Sequence, residues 1–461
     1  MDELLSPIEM AEADRRTIAA GVQGMALMQR AADAVADAIG QRFACQPVLV
    51  ICGPGNNGGD GYGIAARLRQ RGWPVTVAAN RPPRGSDAQA MAVAWGDTVL
   101  PLTAVLTQPR SGPTLVVDAL YGAGLDRPLG ADDADLLRRA ADRTVVAVDV
   151  PSGLDGATGA VDPATPLGAL TVTFARAKPG HLLLPGRGHC GPLVVADIGI
   201  PDAVIRSVGP KTRALASATT PLPPRPDAAS HKYSRGAVLV VAGDMPGAAI
   251  LAAEAARRAG AGYVATTRQA AGPPGLVSQP LDQALAARRW HALVIGPGGG
   301  QASAGQVPRC LAARVPLVVD AEAIDAVLPH LPAPALAPIV LTPHEGEFRR
   351  CFAHLTGSKL TRARAAAAAT GAVVVLKGAD TVIARPDGTA WVQGDAPASL
   401  ATAGSGDCLA GVVAAMLARG MGADAAARLG VLVHSAAGAL RQDLVADDLP
   451  DMIGQVLAEW R

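Results

Sequence analysis

The chain has 461 residues, more than a single hydrophobic core usually serves, so two domains are expected. A formal charge of +1 without any run of Lys or Arg excludes the electrostatic footprint of a nucleic-acid or anionic-membrane binder and leaves small molecules as the expected partners. Hydrophobic residues make up 49% and aromatics only 3%, an Ala, Gly, Val and Leu-rich interior that suits parallel sheets with closely packed helices.

The opening Met1-Asp2-Glu3-Leu4-Leu5 is acidic and lacks the basic, apolar character of a secretion leader. No segment reaches the roughly 18 apolar residues of a spanning helix, and a cytoplasmic protein is expected. The six cysteines are scattered, with no C-x-x-C pair, and read as buried or incidental thiols. Short β-branched runs alternate with amphipathic segments, the pattern of parallel strands with crossover helices. In the first half, strands are expected at Val48 to Cys52, Val75 to Ala78, Leu115 to Asp118, Val145 to Asp149, Leu170 to Phe174 and Leu193 to Ala196. The first is followed by Gly53-Pro54-Gly55-Asn56-Asn57-Gly58-Gly59-Asp60-Gly61-Tyr62-Gly63 and then by a helix expected from Ile64 to Gln70. The glycine spacing fits a dinucleotide turn. Against that reading, the next strand ends Ala78-Ala79-Asn80 without an acid for a ribose, and Asp60 brings negative charge to the place of a pyrophosphate. The loop is therefore expected to serve something other than an ordinary dinucleotide site. Two later strands end in carboxylates, Asp118 and Asp149. Ligands of open parallel sheets lie beyond the carboxyl ends of the strands, so Asn57, Asp118, Asp149 and Ser152 are expected to converge there, as oxygen donors suited to a hard cation.

The stretch Ala216 to Ser230, with Pro221-Leu222-Pro223-Pro224-Arg225-Pro226 inside it, is expected as a stiff linker between two different α/β domains, 1–213 and 214–461. Beyond it, strands are expected at Ala237 to Ala242, Leu293 to Ile295, Leu317 to Asp320, Ile339 to Leu341, Val373 to Leu376 and Thr381 to Ala384. Glycine turns follow several of them: Gly243-Asp244-Met245-Pro246-Gly247-Ala248, Gly296-Pro297-Gly298-Gly299-Gly300, and Lys377-Gly378-Ala379-Asp380-Thr381, whose lysine suits a nucleotide phosphate. His344, in Leu341-Thr342-Pro343-His344-Glu345-Gly346-Glu347-Phe348, reads by itself as a loop or capping residue. Ala403-Gly404-Ser405-Gly406-Asp407 then opens the apolar run Leu409 to Leu417, making an anion cradle at a helix N-terminus. A carboxylate beside a phosphate is unfavourable there unless it meets a cation or moves a proton. Asp407 is thus a candidate base for a hydroxyl next to a phosphate; the alternative is that it caps the helix.

In combination, Pro54-Gly55-Asn56-Asn57-Gly58-Gly59-Asp60-Gly61, Val117-Asp118-Ala119-Leu120-Tyr121-Gly122-Ala123-Gly124 and Asp149-Val150-Pro151-Ser152-Gly153 resemble the motifs of the NAD(P)H-hydrate epimerase domain over about residues 1–213. Leu27-Met28-Gln29-Arg30-Ala31 stands where that family usually has Leu-Met-Glu-Asn-Ala. The ordered turns of the second half resemble the ADP-dependent NAD(P)H-hydrate dehydratases over about residues 214–461, with Glu345 and Asp244 where those often have proline and serine. The resemblance implies an α/β fold with a Rossmann-like N-terminal domain and a ribokinase-like C-terminal one. It implies a potassium ion on Asn57, Asp118 and Ser152. It places a hydrated nucleotide, NADHX or NADPHX, against Asn56, Asn57, Gly58, Gly59 and Asp60, against Gly122, Ala123, Gly124, Leu125, Asp126, Arg127 and Pro128, and against Asp149. In the second domain it implies the same nucleotide against Ala248, Gly298, His344 and Asp407, with ADP held by Lys377, Gly378, Ala379, Asp380, Thr381, Ser399, Gly404, Ser405 and Gly406. The implied chemistry is repair. The first domain would epimerise C6 of the hydrated ring, with Asp149 as a proton acceptor; the second would remove the C6 hydroxyl using ADP, with Asp407 as base and Mg²⁺ on the phosphates. A homo-oligomer is expected. Two other readings stay open: a small-molecule kinase fused to a nucleotide-binding module, and a non-catalytic nucleotide sensor.

Overall fold

Val48-Leu49-Val50-Ile51-Cys52 is apolar at every position, so it can be buried on both faces, and all five residues are. It forms the centre of a parallel sheet in a computed structural model that describes residues 2–79, 81–106, 114–125, 127–267, 272–287, 289–332 and 337–460. The chain divides into two units, Glu3–Thr212 and Arg213–Arg461, each built on its own sheet.

The first unit carries β1 (Val48–Cys52), β2 (Val75–Ala79), β3 (Val99–Pro101), β4 (Leu115–Ala119), β5 (Thr144–Val148), β6 (Gly168–Phe174) and β7 (Leu193–Ala196). Their spatial order is β3-β2-β1-β4-β5-β6-β7, with every pairing parallel. This is the Rossmann order, and the chain reverses its direction of travel between β1 and β4, which opens a crevice beyond their carboxyl ends. Helices α1 (Pro7–Ala19), α2 (Gly24–Arg42), α3 (Asn56–Gln70) and α4 (Ser86–Trp95) flank it. A capping box between Ser6 and Glu9 starts α1.

Helix α3 begins at Asn56, not at Ile64, so most of the expected glycine loop is helical. The glycines serve close packing. A Cβ on Gly58 would lie 1.8 Å from the Gly53 carbonyl oxygen, on Gly61 2.7 Å from Ala119, and on Gly63 2.3 Å from Met91.

The second unit carries β8 (Ala237–Val241), β9 (Tyr263–Thr266), β10 (Val277–Ser278), β11 (Ala292–Ile295), β12 (Leu317–Val319), β13 (Ile339–Leu341), β14 (Val373–Leu376), β15 (Val382–Ala384) and β16 (Ala390–Val392). They run β16-β15-β14-β13-β12-β11-β8-β9-β10, parallel except where β15 pairs with β14 and β16. Here the order reverses beside β8 and β11. Helices α5 (Pro246–Arg258), α6 (Glu345–Cys351), α7 (Ser405–Ala418) and α8 (Ala423–Ala439) surround the loops at that end. From Cys408 to Ala418 every residue of α7 is buried, as an all-apolar helix requires. Gly411 lets it meet α5 closely, since a Cβ there would lie 2.0 Å from the Ala252 carbonyl oxygen.

The proline-rich stretch lies past the division at Thr212 and Arg213, within the second unit rather than between the two. Arg419 donates to the Pro224 carbonyl at 2.7 Å and Arg428 to that of Thr219 at 3.3 Å. It is a strap bound by arginines and not a free spacer.

Candidate functional site

In the first unit, the ends of β4 and β5 bring two carboxylates together with opposite surroundings. Asp118 is fully buried; it accepts the Ser152 amide at 2.8 Å, the Ser152 hydroxyl at 2.6 Å and the Leu120 amide at 3.3 Å. Burial pushes its pKa up against those hydrogen bonds, and no basic side chain is bonded to it among the described residues. The Ser152 hydroxyl also takes the Tyr121 amide at 2.9 Å. Next in sequence, Gly122 is wedged between the side chains of Asp149 and Asn57, whose nearest atoms lie 3.0 and 3.2 Å from where its Cβ would be. The hydrogen-bond network orients the Asn57 amide so that it donates to the Val148 carbonyl and accepts from the Gly122 amide, both at 3.2 Å.

Asp149 has φ +68°, a left-handed conformation that only a dense set of contacts keeps in a non-glycine residue. Its amide donates to Val172 at 2.8 Å, and its carbonyl accepts from His181 Nε2 at 2.9 Å. That tautomer follows because His181 Nδ1 accepts the Lys178 amide. One Asp149 carboxylate oxygen takes the Ala123 amide at 2.9 Å; the other takes Thr173 Oγ1 at 2.9 Å and Lys178 Nζ at 2.6 Å. Burial opposes its charge, but the Lys178 ammonium and the Ala123 amide outweigh burial and bring the pKa down to about 2. Burial, reinforced by Lys178, lowers His181 to about 4 and keeps it neutral.

These groups border a cleft of about 590 Å³ lined by Asn56, Asn57, Asp60, Gly122, Ala123, Gly124, Leu125, Arg127, Asp149, Lys178 and, from α1, Asp14. Of the residues expected against the nucleotide, Gly58 and Gly59 are buried within α3 and do not line it, Pro128 is exposed outside its lining, and Asp126 lies outside the described residues. Asn80 of the dinucleotide argument lies outside them as well.

In the second unit, β11, β12, β13 and β14 end in register, and backbone bonds continue past the strands: Asp320 to Ile295, Thr342 to Val319 and Lys377 to Pro343. That row sets Asp320, Thr342 and Lys377 side by side. Lys377 Nζ and Thr342 Oγ1 each donate to Asp320 Oδ1 at 2.8 Å. Burial works against the Lys377 charge, but Asp320 and Glu347 raise its pKa overall. Asp407 faces this group from the first turn of α7. Burial and the Asp320 charge, opposed by Lys377, lift its pKa to about 6. Burial also raises Glu347. Gly404, at φ +93°, is the N-cap of α7, and Asp407 makes no side-chain hydrogen bond among the described residues. The capping reading of Asp407 therefore has no bond behind it.

His344 does cap. Its Nδ1 accepts the Gly346 and Glu347 amides at 2.9 and 3.1 Å, and the Glu347 carboxylate accepts the His344 amide at 2.7 Å. Met245, just before α5, donates to the Gly298 carbonyl at 3.1 Å, which sets the Ala248 turn beside the glycine loop. Gly298 has a left-handed φ of +79°, and a Cβ there would also strike the Met245 carbonyl oxygen, so both the conformation and the space call for glycine. Several expected ADP contacts turn inward: Thr381 Oγ1 closes a turn onto Gly378 at 2.8 Å, Ser399 Oγ donates to Gly438 at 2.6 Å, Ser405 Oγ to Leu400 at 2.8 Å, and Asp380 pairs with Lys359 at 2.6 Å. What they leave open is backbone at the helix start.

Asp14, Lys178, Asp320 and Glu347 were not expected. Asp320 directly follows a strand as Asp149 does, so the same signal applied to it; Lys178 lies beyond the loop that follows Phe174 and Asp14 sits in an ordinary amphipathic helix, and neither gives that signal. Among the described residues no group of three or more His, Cys, Asp or Glu is placed to hold a metal ion, and no helix is long and apolar enough to cross a membrane.

The sequence matches the family model described as NAD(P)H-hydrate dehydratase over residues 238–457 and that described as YjeF-related protein N-terminus over 24–180. It is 35% identical to the bifunctional NAD(P)H-hydrate repair enzyme Nnr of Moorella thermoacetica, covering 98% of this chain and 96% of that one. The enzyme of the same name from Salinibacter ruber is 36% identical, covering 98% and 95%. Among solved structures, the ADP/ATP-dependent NAD(P)H-hydrate dehydratase of Bacillus subtilis, co-crystallised with ATP and Mg²⁺, is 32% identical with a TM-score of 0.47, covering 52% of this chain and 95% of that one. With full-length relatives at this identity and both family models matched in order, the chain belongs to the bifunctional NAD(P)H-hydrate repair enzymes.

Proposed function

We propose that the protein restores hydrated nicotinamide nucleotides: the first unit, about residues 1–213, interconverts the C6 epimers of NADHX and NADPHX, and the second, about 214–461, dehydrates one epimer using ADP. The observation that carries the reading is Asp407, a carboxyl with a pKa of about 6 and no side-chain hydrogen bond among the described residues, beside Lys377 at a helix N-terminus. Hydroxide leaves poorly. Asp407 takes the proton of the C6 hydroxyl, whose oxygen attacks the terminal phosphorus of ADP as AMP leaves; phosphate then departs from C6 and a C5 proton is lost. The backbone amides that begin α7 and the Lys377 ammonium stabilise charge on the transferring group. The local excess of carboxylates, Asp320, Glu347 and Asp407 against Lys377, fits Mg²⁺ shared with nucleotide phosphates rather than caged by protein. Bound there, it would neutralise phosphate charge.

In the first unit, the buried, cation-free carboxylate of Asp118 and the oxygens of Asn57 and Ser152 fit potassium, which would offset the Asp118 charge and fix the loop. We assign Asp149 an anchoring role in place of the expected proton acceptor. With a pKa of about 2 and both oxygens engaged, it is a weak base. Six unpaired cysteines support a reducing, cytoplasmic setting, and we take the working form as a homo-oligomer.

Incubation with mixed hydrate epimers, ADP and Mg²⁺ should return all dihydronicotinamide absorbance, with AMP and free phosphate formed. A stable phosphorylated product would point instead to a small-molecule kinase.

A further inference from the structure

The cleft of the first unit contains a carboxyl that no assigned role uses. Asp14, half-buried on α1, lines it together with Asp60 of α3, Asp149 and Lys178. Neither Asp14 nor Asp60 makes a side-chain hydrogen bond among the described residues, although Asp60 is only 9% exposed. Two unpartnered acids around one ion pair are not needed for folding, since each would be better hydrated outside.

We propose that Asp14 carries the proton to and from the C6 oxygen during epimerisation. The inference rests on the epimerase reading of this cleft. Inversion at C6 needs a group that gives a proton and accepts it back at the same pH. In the forward step the Asp14 carboxyl protonates the C6 hydroxyl, the C6–O bond breaks with loss of water, and the N1 lone pair forms the C6=N1 bond. Water then adds to the opposite face, the C6=N1 pair returns to nitrogen, and the released proton goes back to the Asp14 carboxylate. Atoms and charge balance without any co-reactant.

The charged groups facing Asp14 favour this over its neighbours. Burial, opposed by Lys178 and aided by Asp149, lifts Asp14 to about 6, so both of its forms are accessible near neutrality. Asp149 is held as an anion by Lys178, His181 behind it is neutral, and burial with the Asp149 and Asp14 charges pushes Asp60 well above the usual carboxylate range. The other charged side chains of the lining, Arg84, Asp87 and Arg127, complete the set.

The test follows epimer interconversion in the intact protein by NMR without ADP, which silences the dehydratase, as a function of pH. Wild type should show a limb near 6. Asp14→Asn should lower the rate by ~10²–10⁴-fold and abolish that limb, while dehydration is unchanged and the thermal melt is not lowered. Asp14→Glu should restore a limb. If Asp14→Asn keeps the rate and the limb, or if Asp60→Asn rather than Asp14→Asn removes the limb, the assignment is wrong. If Asp14→Asn does not fold, Asp14→Glu decides: a slower rate with the limb displaced supports the assignment, and the native rate with the limb unmoved overturns it. Wild type that never interconverts epimers would overturn the epimerase reading itself; failure of the variants alone would not.

Discussion

Asp407 stands at the third position of α7, where a negative charge is favoured by the helix terminus but disfavoured by Asp320, Glu347 and burial. Its role as base gives the pH dependence a definite sign: the ionised form is the active one, so dehydration should rise with pH through about 6 and then level off. Lys377 lowers the Asp407 pKa, so Lys377→Met should move that limb to higher pH, read at saturating ADP. Asp407→Asn should reduce repair by ~10²–10⁴-fold while epimerisation and nucleotide binding persist; repair at the native rate would remove Asp407 from the chemistry. Asp118→Ala should impair epimerisation and its response to potassium, leaving dehydration of the correct epimer near normal. Equal loss of both activities would mean a collapsed fold. In the sequence, residues marked by strand ends and glycines were legible: Asn57, Asp118, Asp149, Lys377 and Asp407. Asp14 and Glu347 were not, because an acid on a helix is ordinary until tertiary contacts bury it.

At the scale of elements, the long apolar strands announced themselves, while the short outer ones at Val99–Pro101 and Val277–Ser278 are too brief to establish a period. The β15 to β16 hairpin did carry a signal, Pro386-Asp387-Gly388, with Gly388 at φ +84° and Arg385 bonded to Thr389 at 2.8 Å. The ribokinase-like second domain stands with the family. What sequence could not give was the contact of α7 with α5, where Gly411 is the point of closest approach. Gly411→Val has to separate the helices, and should cost about 1–3 kcal/mol, read as a lower urea midpoint. It should also lower dehydratase activity, since α7 carries Asp407.

For the molecule as a whole, the division at Thr212 and Arg213 and the strap at 216–230 give different expectations for two cuts. Fragments 1–212 and 213–461 should each fold and keep one activity. A second fragment begun after Pro224 loses the carbonyl that Arg419 grips and the one that Arg428 grips, and should melt lower. Identical melts for both versions would show that the strap contributes nothing. The expectation of two unlike α/β halves was readable from two separate sets of motifs; the attachment of the prolines was not, because it depends on arginines about 200 residues away.

The glycine-rich start of α3 has a further consequence for how damage to this protein would look. Four glycines, Gly58, Gly59, Gly61 and Gly63, lie near its start, each weakening a helix by about 1 kcal/mol relative to alanine, so this segment keeps its shape only through what presses on it from behind. One of those supports is Met91, 5% exposed in the core of the first unit. Met91→Ala touches no ligand, yet it should loosen Asn56, Asn57 and Asp60 together. Amide exchange should quicken over residues 56–63 before the rest of the unit, and KM should rise while the melt falls only moderately. A lesion in the hydrophobic interior would thus present as poor substrate capture.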